Sequence, residues 1–429
     1  MNAVPPVSGR PRRTLDEWLA LQDVAHGQTI DLGLERVGAV ARALGVDRAP
    51  HPVITVGGTN GKGSTVAFLE AILRHAGVVT GAFTSPHLVR YNERIRIDGV
   101  PVDDAELISA FEDIEAARGG TTLTFFEYNT LAALLIFARR RVGVAILEVG
   151  LGGRLDATNL IDADVAVLCS VGVDHRDWLG DTLEAIGAEK AGIFRAERPA
   201  VLGSQEMPRS VFEAIERLDA RAIVAERDFS WRTDGQRWSY TGSRTTLEGL
   251  PMPALAGEIQ LRNASTALAA LEALGMPRAL ERDTVAAALR SVQLPGRFQI
   301  VPGPVEWLLD VAHNEPAAQV LAQNLAARPV AGRTIAVCGI LRDKDVAAIG
   351  RTLEPSIDTW IVCSIDDARG LPAAELVERL GIASREVELA ESVEAGCRKA
   401  AERARPGDRV VVFGSFHTVG PALRFLQIY

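Results

Sequence analysis

Residues Val53–Gly77 read VITVGGTNGKGSTVAFLEAILRHAG. A β-branched, apolar run ends in the pair Gly57-Gly58, and a helix-forming run starts at Lys62 and stops before Gly77. Strand, glycine-rich turn and helix in that order are the first step of a doubly wound parallel sheet. The backbone amides and dipole at such a helix start favour an anion, above all a phosphate. The usual phosphate loop is glycine, four residues, then Gly-Lys followed directly by Ser or Thr. Here Gly63 follows Lys62, Ser64 comes one place late, and Val56 stands where the first glycine belongs. The density of Gly57, Gly58, Gly61 and Gly63 still favours a ligand cradle over an ordinary tight turn.

Outward from this unit the alternation continues. Strand-like runs at 53–58, 78–85, 144–150, 165–172 and 199–204 alternate with helical stretches at 62–76, 103–118, 124–141 and 181–190. Residues 228–252 change character: a Thr-Asp-Gly-Gln turn inside WRTDGQRWSY predicts a β-hairpin insertion. The segment 258–275 is read as helical after Asn263. LPGR, Leu294–Arg297, marks a junction, beyond which VEWLLDVA, RTIAVCGI, IDTWIVCSI and DRVVVFGSF repeat the alternation on a smaller scale. The expected architecture is therefore α/β in two parts. A large P-loop domain with a parallel doubly wound sheet spans 1–294, a smaller Rossmann-like α/β domain spans 295–429, and the active site lies in the cleft between them.

Bulk properties narrow the class. The 46 Lys and Arg against 55 Asp and Glu give a net charge of -9, which argues against nucleic-acid binding but leaves room for a local basic pocket. No apolar run approaches the ~20 residues needed to span a bilayer, so no membrane partner is expected. The opening MNAVPPVSGRPRRTLDEW lacks the apolar centre of an export signal, which points to a cytoplasmic protein. Cys169, Cys338, Cys363 and Cys397 are scattered and read as reduced core thiols.

In an open parallel sheet, ligands gather beyond the carboxyl ends of the strands. GGTNGKGST follows the first strand and Ser85-Pro86-His87 the second; Glu148 ends the third, and Asp174-His175 follow the fourth. A phosphate cradle, a hydroxyl, a carboxylate and an imidazole would thus share one edge. Oxygen ligands from few side chains, completed by water and phosphate, suit Mg²⁺. Ser85 also reads as an ordinary turn residue, whereas Glu148 late in an apolar strand needs a partner or a metal. Lys190 ends a short helix that Asp181 and Glu184 would open as a capping box. Its spacing favours a snorkelling surface amine; the alternative is a partly buried amine of depressed pKa that reacts with CO₂. Asp310 and His313 in LLDVAHN bring polar groups to a strand end, and Arg297 in the junction has the geometry to bind phosphate, although a linker cation is more often solvated.

Taken in order, GGTNGKGS, TSPHL with ERIRIDG, TFFEYNTLAAL, EVGLGGRLDATN, DHRDWLG, EKAGIF, LPGRF, LDVAHN, GILRDKD and VFGSFHTVG resemble the folylpolyglutamate synthase and dihydrofolate synthase family of the Mur ligase superfamily. The match runs from about Leu15 to Gly420, and the altered phosphate loop is the family's own spelling. The resemblance implies an ATP-dependent ligase that activates a carboxylate as an acyl phosphate and transfers it to L-glutamate. By similarity, Thr59, Asn60, Gly61, Lys62, Gly63 and Ser64 hold the ATP phosphates, and Asn263, Arg297 and Asp310 contact ATP. Ser85 and Glu148 would bind one Mg²⁺, and Glu148 and His175 a second. Lys62, His313 and a carbamylated Lys190 would be catalytic. Asp31, Leu32, Gly33 and Leu34 resemble a loop that closes over dihydropteroate in bacterial members, with Thr124, Phe125, Phe126, Arg154 and Leu155 near the pterin. Thr124 and Glu127 also fit a helix capping box.

One departure is Glu315, followed by Pro316, where the family commonly has proline directly after His-Asn. Two rivals remain. A Mur-type peptidoglycan-precursor ligase typically carries a UDP-binding domain before the loop, where this chain has 57 residues before Gly58. A P-loop NTPase switch would leave the second domain unused. The DLGL stretch leans towards a bifunctional enzyme acting on both folate and dihydropteroate, and a monomer is the default.

Overall fold

The computed structural model describes residues 13–27, 30–382 and 386–429; the opening stretch read above for export lies outside them up to residue 12. Eight strands build the first sheet: β1 (Val53–Gly57), β2 (Thr80–Phe83), β3 (Ile95–Ile97), β4 (Val100–Pro101), β5 (Val144–Glu148), β6 (Val165–Leu168), β7 (Pro199–Leu202) and β8 (Arg221–Val224). Their order is β4-β3-β2-β5-β1-β6-β7-β8. From β2 to β8 the pairing is parallel, while β3 and β4 fold back antiparallel at one edge. β1 is central and wholly buried, which is why its sequence is apolar without alternation. Because β2, β5, β1 and β6 are consecutive, the four segments that follow them emerge side by side.

Helices cover both faces. Lys62–His75, Ile259–Leu274 and Arg282–Ser291 pack on one, in a core that includes Phe68, Ile72, Leu268 and Leu289. Phe125–Arg140, Asp104–Arg118 and the N-terminal helices Leu15–Val24 and Glu35–Leu44 pack on the other. The Thr124–Glu127 box is formed: Glu127 N–H donates to Thr124 Oγ1 at 3.2 Å and Thr124 N–H to Glu127 Oε2 at 2.7 Å.

Three expectations change in detail. The insertion has three antiparallel strands, β9 (Ser230–Thr233), β10 (Arg237–Thr241) and β11 (Thr246–Pro251), with a second turn closed by Gly242 N–H on Thr245 O at 2.8 Å. Buried Trp238, Tyr240, Leu247 and Leu250 seat it on the helical layer. The following helix starts at Ile259, a turn before Asn263. The second strand is shortened to Thr80–Phe83, because left-handed Gly77 ends the preceding helix and Val79 remains largely exposed.

The second sheet comprises β12 (Gln299–Val301), β13 (Glu306–Asp310), β14 (Thr334–Cys338), β15 (Thr359–Cys363), β16 (Glu386–Ala390) and β17 (Arg409–Phe413), in the order β12-β13-β17-β14-β15-β16. All pairs are parallel except β12 with β13. Leu294 packs on the first domain's core and Phe298 belongs to the second's, so we place the division across 295–297. All four cysteines are buried free thiols. No helix among the described residues is long and apolar enough to cross a membrane.

Phe68 is fully buried between the sheet and the helical layer. Phe68→Ala is expected to lower the first domain's unfolding free energy by about 3–5 kcal/mol, read as a lower urea midpoint.

Candidate active site

The glycines of the loop after β1 are there for close approach. Gly58 has φ 143°, and a Cβ on it would sit 3.1 Å from Cys169 Cβ. Gly61 has φ 89°, and a Cβ would fall 2.9 Å from Asn263 Oδ1. The loop is thereby pressed against the segment after β6 and the helix Ile259–Leu274. Thr59 N–H donates to Ser170 O at 2.9 Å, Thr59 Oγ1 accepts from Gly172 N–H at 2.9 Å, and Asn60 N–H donates to Ser170 Oγ at 3.0 Å. No side chain caps the helix that begins at Lys62, and its first turn holds no acid, so its positive end faces the cleft. Lys62 Nζ folds back to donate to Gly58 O at 2.9 Å and Thr59 O at 3.3 Å.

Glu148 ends β5 in register with Val56 and is buried. Among the described residues its carboxylate accepts a single hydrogen bond, a long one from Ser85 N–H at 3.4 Å. Burial raises its pKa, and the charges of Lys62 and Arg297 oppose the rise. A Cβ on Gly63 would lie 3.6 Å from Arg297 Nη2 and 4.0 Å from Glu148 Oε1, so junction, loop and strand end converge. His175 stands in the left-handed region at φ 53°. Burial and the neighbouring Lys344 and Lys62 hold its pKa down to about 4, which leaves a neutral imidazole at neutral pH. Among the described residues no three His, Cys, Asp or Glu gather to cage a metal. Ser85, Glu148 and His175 instead offer a hydroxyl, an under-satisfied buried carboxylate and a neutral imidazole, a partial donor set of the kind that Mg²⁺ completes with phosphate and water.

For Lys190 the spacing argument fails. The residue is only 6% exposed, and its amine is pushed down to about 7, chiefly by burial and then by Lys62. The reason is how the helix Leu183–Ala191 is seated. Its cap is Thr182, whose Oγ1 accepts from Ala185 N–H at 3.2 Å, and not Asp181. Glu184 closes no capping box; it accepts from Arg209 N–H at 3.1 Å and Ser210 N–H at 2.7 Å, tying the helix to the next one. The Gly153 turn lies against the other end, where a Cβ would come within 2.9 Å of Lys190 O.

The second domain closes the cleft through polar pairs. Asn60 Nδ2 donates to Asn314 Oδ1 at 3.0 Å, and Asn314 Nδ2 donates to Asn60 Oδ1 and to Asp174 Oδ2, each at 3.1 Å. Lys344 Nζ donates to Asp174 Oδ1 at 2.7 Å. Burial works against ionisation of Asp174, but His313, Lys344 and His175 around it hold its carboxyl well below the usual range. His313 Nδ1 meets Val311 O at 2.8 Å. Asp310 accepts from Phe298 N–H at 2.9 Å and Ala312 N–H at 2.8 Å, and the Arg297 guanidinium lies 5.1 Å over the Phe416 ring. Glu315 and Pro316 occupy the first turn of the helix Glu315–Ala327, capped by Asn314, where a missing proline N–H leaves no gap. The departure from the family spelling is absorbed there.

Two adjoining cavities result. One of about 640 Å³ is lined by Thr59 to Ser64, Asn263, Arg297, Asp310, Ser85, Glu148, His175, Lys190 and His313, which brings together every expected nucleotide, metal and catalytic position. The other, about 1030 Å³, is lined by Asp31, Leu32, Gly33, Thr124, Phe125, Phe126 and Leu155. They share Ser85, Asp174, His175 and Lys344. Two expected positions stay outside the second lining: Leu34 packs into the core, and Arg154 pairs with Glu189 at 2.7 Å. Sequence reasoning gave no role to Asn314 or Lys344, although both stand in quoted motifs, LDVAHN and GILRDKD. Their partners lie 140 to 254 positions away, and spacing cannot pair residues at that distance.

The buried amine has a thermodynamic signature. The Lys190 pKa is about 7 folded and about 10.5 unfolded, so between those values the unfolded chain binds more protons and stability rises with pH. Wild type should therefore gain unfolding free energy relative to Lys190→Met from pH 7 to pH 10, measured by urea titration at each pH.

Comparison with known proteins agrees with this geometry. Residues 56–271 match the Mur ligase middle domain and residues 296–416 the Mur ligase glutamate ligase domain. The dihydrofolate synthase/folylpolyglutamate synthase of Escherichia coli is 44% identical over 416 residues, 96% of each chain. That of Mycobacterium tuberculosis is 36% identical over 90% of this chain and 86% of its own. The structure of E. coli FolC in complex with DHPP and ADP superposes with a TM-score of 0.93 at 43% identity, covering 98% of this chain and 99% of that one. The Yersinia pestis bifunctional folylpolyglutamate synthase/dihydrofolate synthase complexed with AMPPNP and Mn ion gives 0.91 at 41% identity, covering 98% and 100%. With this identity over nearly the whole length, the chain belongs to the dihydrofolate synthase/folylpolyglutamate synthase family of Mur ligases.

Proposed function

We propose that this chain is an ATP-dependent ligase that forms an amide between the α-amino group of L-glutamate and a folate-type carboxylate, by way of an acyl phosphate. The observation that carries this reading is the meeting of the two cavities at Ser85, Asp174, His175 and Lys344, a glycine-loop site on one side and an aromatic-walled site on the other. Relatives bind matching ligands: ADP with DHPP in one complex, and Mn, AMPPNP and L-glutamate in another.

A carboxylate is a poor electrophile because its charge is delocalised and its oxide leaves badly. Its oxygen attacks the γ-phosphorus and ADP departs; the glutamate amine then attacks the acyl carbon, phosphate departs, and the amine loses a proton. Phosphoryl transfer is mostly positioning and charge neutralisation. The loop Thr59–Ser64 and Lys62 take the phosphates, Lys62 exchanging its loop carbonyls for phosphate oxygens. Arg297, held over Phe416, adds a guanidinium from the second domain, and Asp310 holds the junction that carries it. Asn263 contacts ATP beside Gly61. Ser85, Glu148 and His175 are assigned to Mg²⁺ at two sites, where the metal supplies neutralisation of phosphate charge. Lys190, with an amine near neutrality at physiological pH, is able to take up CO₂ and present a carbamate to that centre. His313 belongs to the catalytic site, its ring set by the Val311 carbonyl.

Asp31–Gly33, Thr124–Phe126 and Leu155 hold the pterin acceptor. We read the enzyme as bifunctional, taking dihydropteroate as well as a folate, in line with the paired activities in the relatives' names. One chain supplies both walls of the cleft, so a monomer suffices, and four reduced thiols suit the cytoplasm.

The test is phosphate release from Mg-ATP and L-glutamate with dihydropteroate or tetrahydrofolate supplied separately. Both acceptors should stimulate turnover; stimulation by neither rejects the assignment. Lys62→Ala should cut turnover about 100- to 1,000-fold with an unchanged melting temperature. Lys190→Ala should be impaired and regain part of its activity with added formate or acetate, whereas no recovery would count against the carbamate.

A further inference from the structure

Trp178 has no part in the chemistry above, yet it is the only one of the six tryptophans among the residues lining the two cavities. It stands on the short helix Arg176–Leu179, where Trp178 N–H and Leu179 N–H both reach His175 O at 3.0 Å. The turn is anchored by its neighbour: Leu179 is buried, and a Cβ on Gly152 would touch its Cδ2 at 3.0 Å. Trp178 as a residue is 46% exposed, and Leu183, on the same lining, is 47% exposed. Among the described residues Trp178 makes none of the ring-to-ring contacts that hold the other cavity aromatics. Phe126 leans on Phe83 at 5.7 Å and Phe125 meets Tyr91 edge-on at 5.9 Å. A single exposed apolar residue is ordinary, but Trp178 and Leu183 lie together on the lining of the cavity that holds Phe125 and Phe126, where a ligand would cover them.

We propose that Trp178, with Leu183 beside it, forms an aromatic wall for the flat ring portion of the acceptor and so sets acceptor affinity. The acceptor's conjugated rings would cover the exposed indole face, adding stacking to the burial of apolar area. Because the turn is held by Leu179 and backbone bonds, the indole is presented without the chain having to reorganise. The ring is remote from bond making, so the interaction is the same in ground and transition states and acts on KM alone.

This inference rests on the ligase reading, and steady-state kinetics of W178F and W178A with varied dihydropteroate or tetrahydrofolate separate the two. W178A should raise KM for either acceptor roughly tenfold, with kcat within about twofold and the KM values for ATP and glutamate unchanged. W178F should remain within about threefold of wild type, and calorimetric titration with pteroate should follow the same ranking. An unchanged acceptor KM in W178A, or equal loss in W178F and W178A, overturns the proposal while the ligase assignment stands. A wild-type enzyme that turns over neither acceptor overturns both. Equal melting temperatures of wild type and W178A are expected because Trp178 is half exposed and belongs to none of the buried core clusters, and a drop in W178A alone would assign Trp178 to the scaffold and overturn the proposal.

Discussion

Asp174 is the hinge pin of the active centre. It comes from the loop after β6 in the first domain, yet its two oxygens are taken by Lys344 and Asn314 of the second. Asn314 also exchanges amide hydrogen bonds with Asn60 of the glycine loop. The cleft is thus closed by directional polar contacts in a poorly solvated place, where each partner is needed to satisfy the others. Removing one member of such a buried set leaves an uncompensated charge, which costs more than the pair contributes. Polar pairing of this kind gives register between domains, so the glycine loop and the LDVAHN strand end meet in one geometry.

Inside that clasp the charges are left unresolved. Glu148 is buried and its carboxylate accepts a single long hydrogen bond among the described residues, Lys190 is buried at a depressed pKa, and half-buried Arg297 has its pKa lowered by desolvation. A chain selected for stability alone would not place three such incompletely paired groups on the lining of one cavity. They compensate one another only in part, and under the proposed function a phosphate with its metal would supply what is lacking. The cost is carried by well-packed elements behind the rim, including the wholly buried β1 and the apolar helix layer.

Much of this was readable in advance. The strands at the centre of the first sheet are apolar but for Thr55 and the terminal Glu148, so their position and parallel pairing follow from composition and order. The rim residues were legible for the same reason: each follows a strand, and topology puts strand ends together. Boundaries were less certain, as with the third insertion strand and the early start at Ile259, because neither carries a strong local stop signal. Spacing alone puts Lys190 at the surface because its flanking residues suit either face of a short helix, whereas the family resemblance puts it in the site. What decides the face is Glu184 reaching Arg209 and Ser210 some 25 positions later.

The sequence by itself determined the local units, namely the apolar central strands, the glycine turn that only small residues permit, and the Thr124 cap with Glu127. These depend on neighbours within one turn or one strand, where periodicity and backbone sterics suffice. The tertiary structure alone decided which polar groups are deprived of water and who partners them: Lys190 buried, Asp174 held by Lys344, Asn60 paired with Asn314. Burial is set by what other segments cover, and a pKa or an ion pair follows from burial, so no window of sequence contains that information.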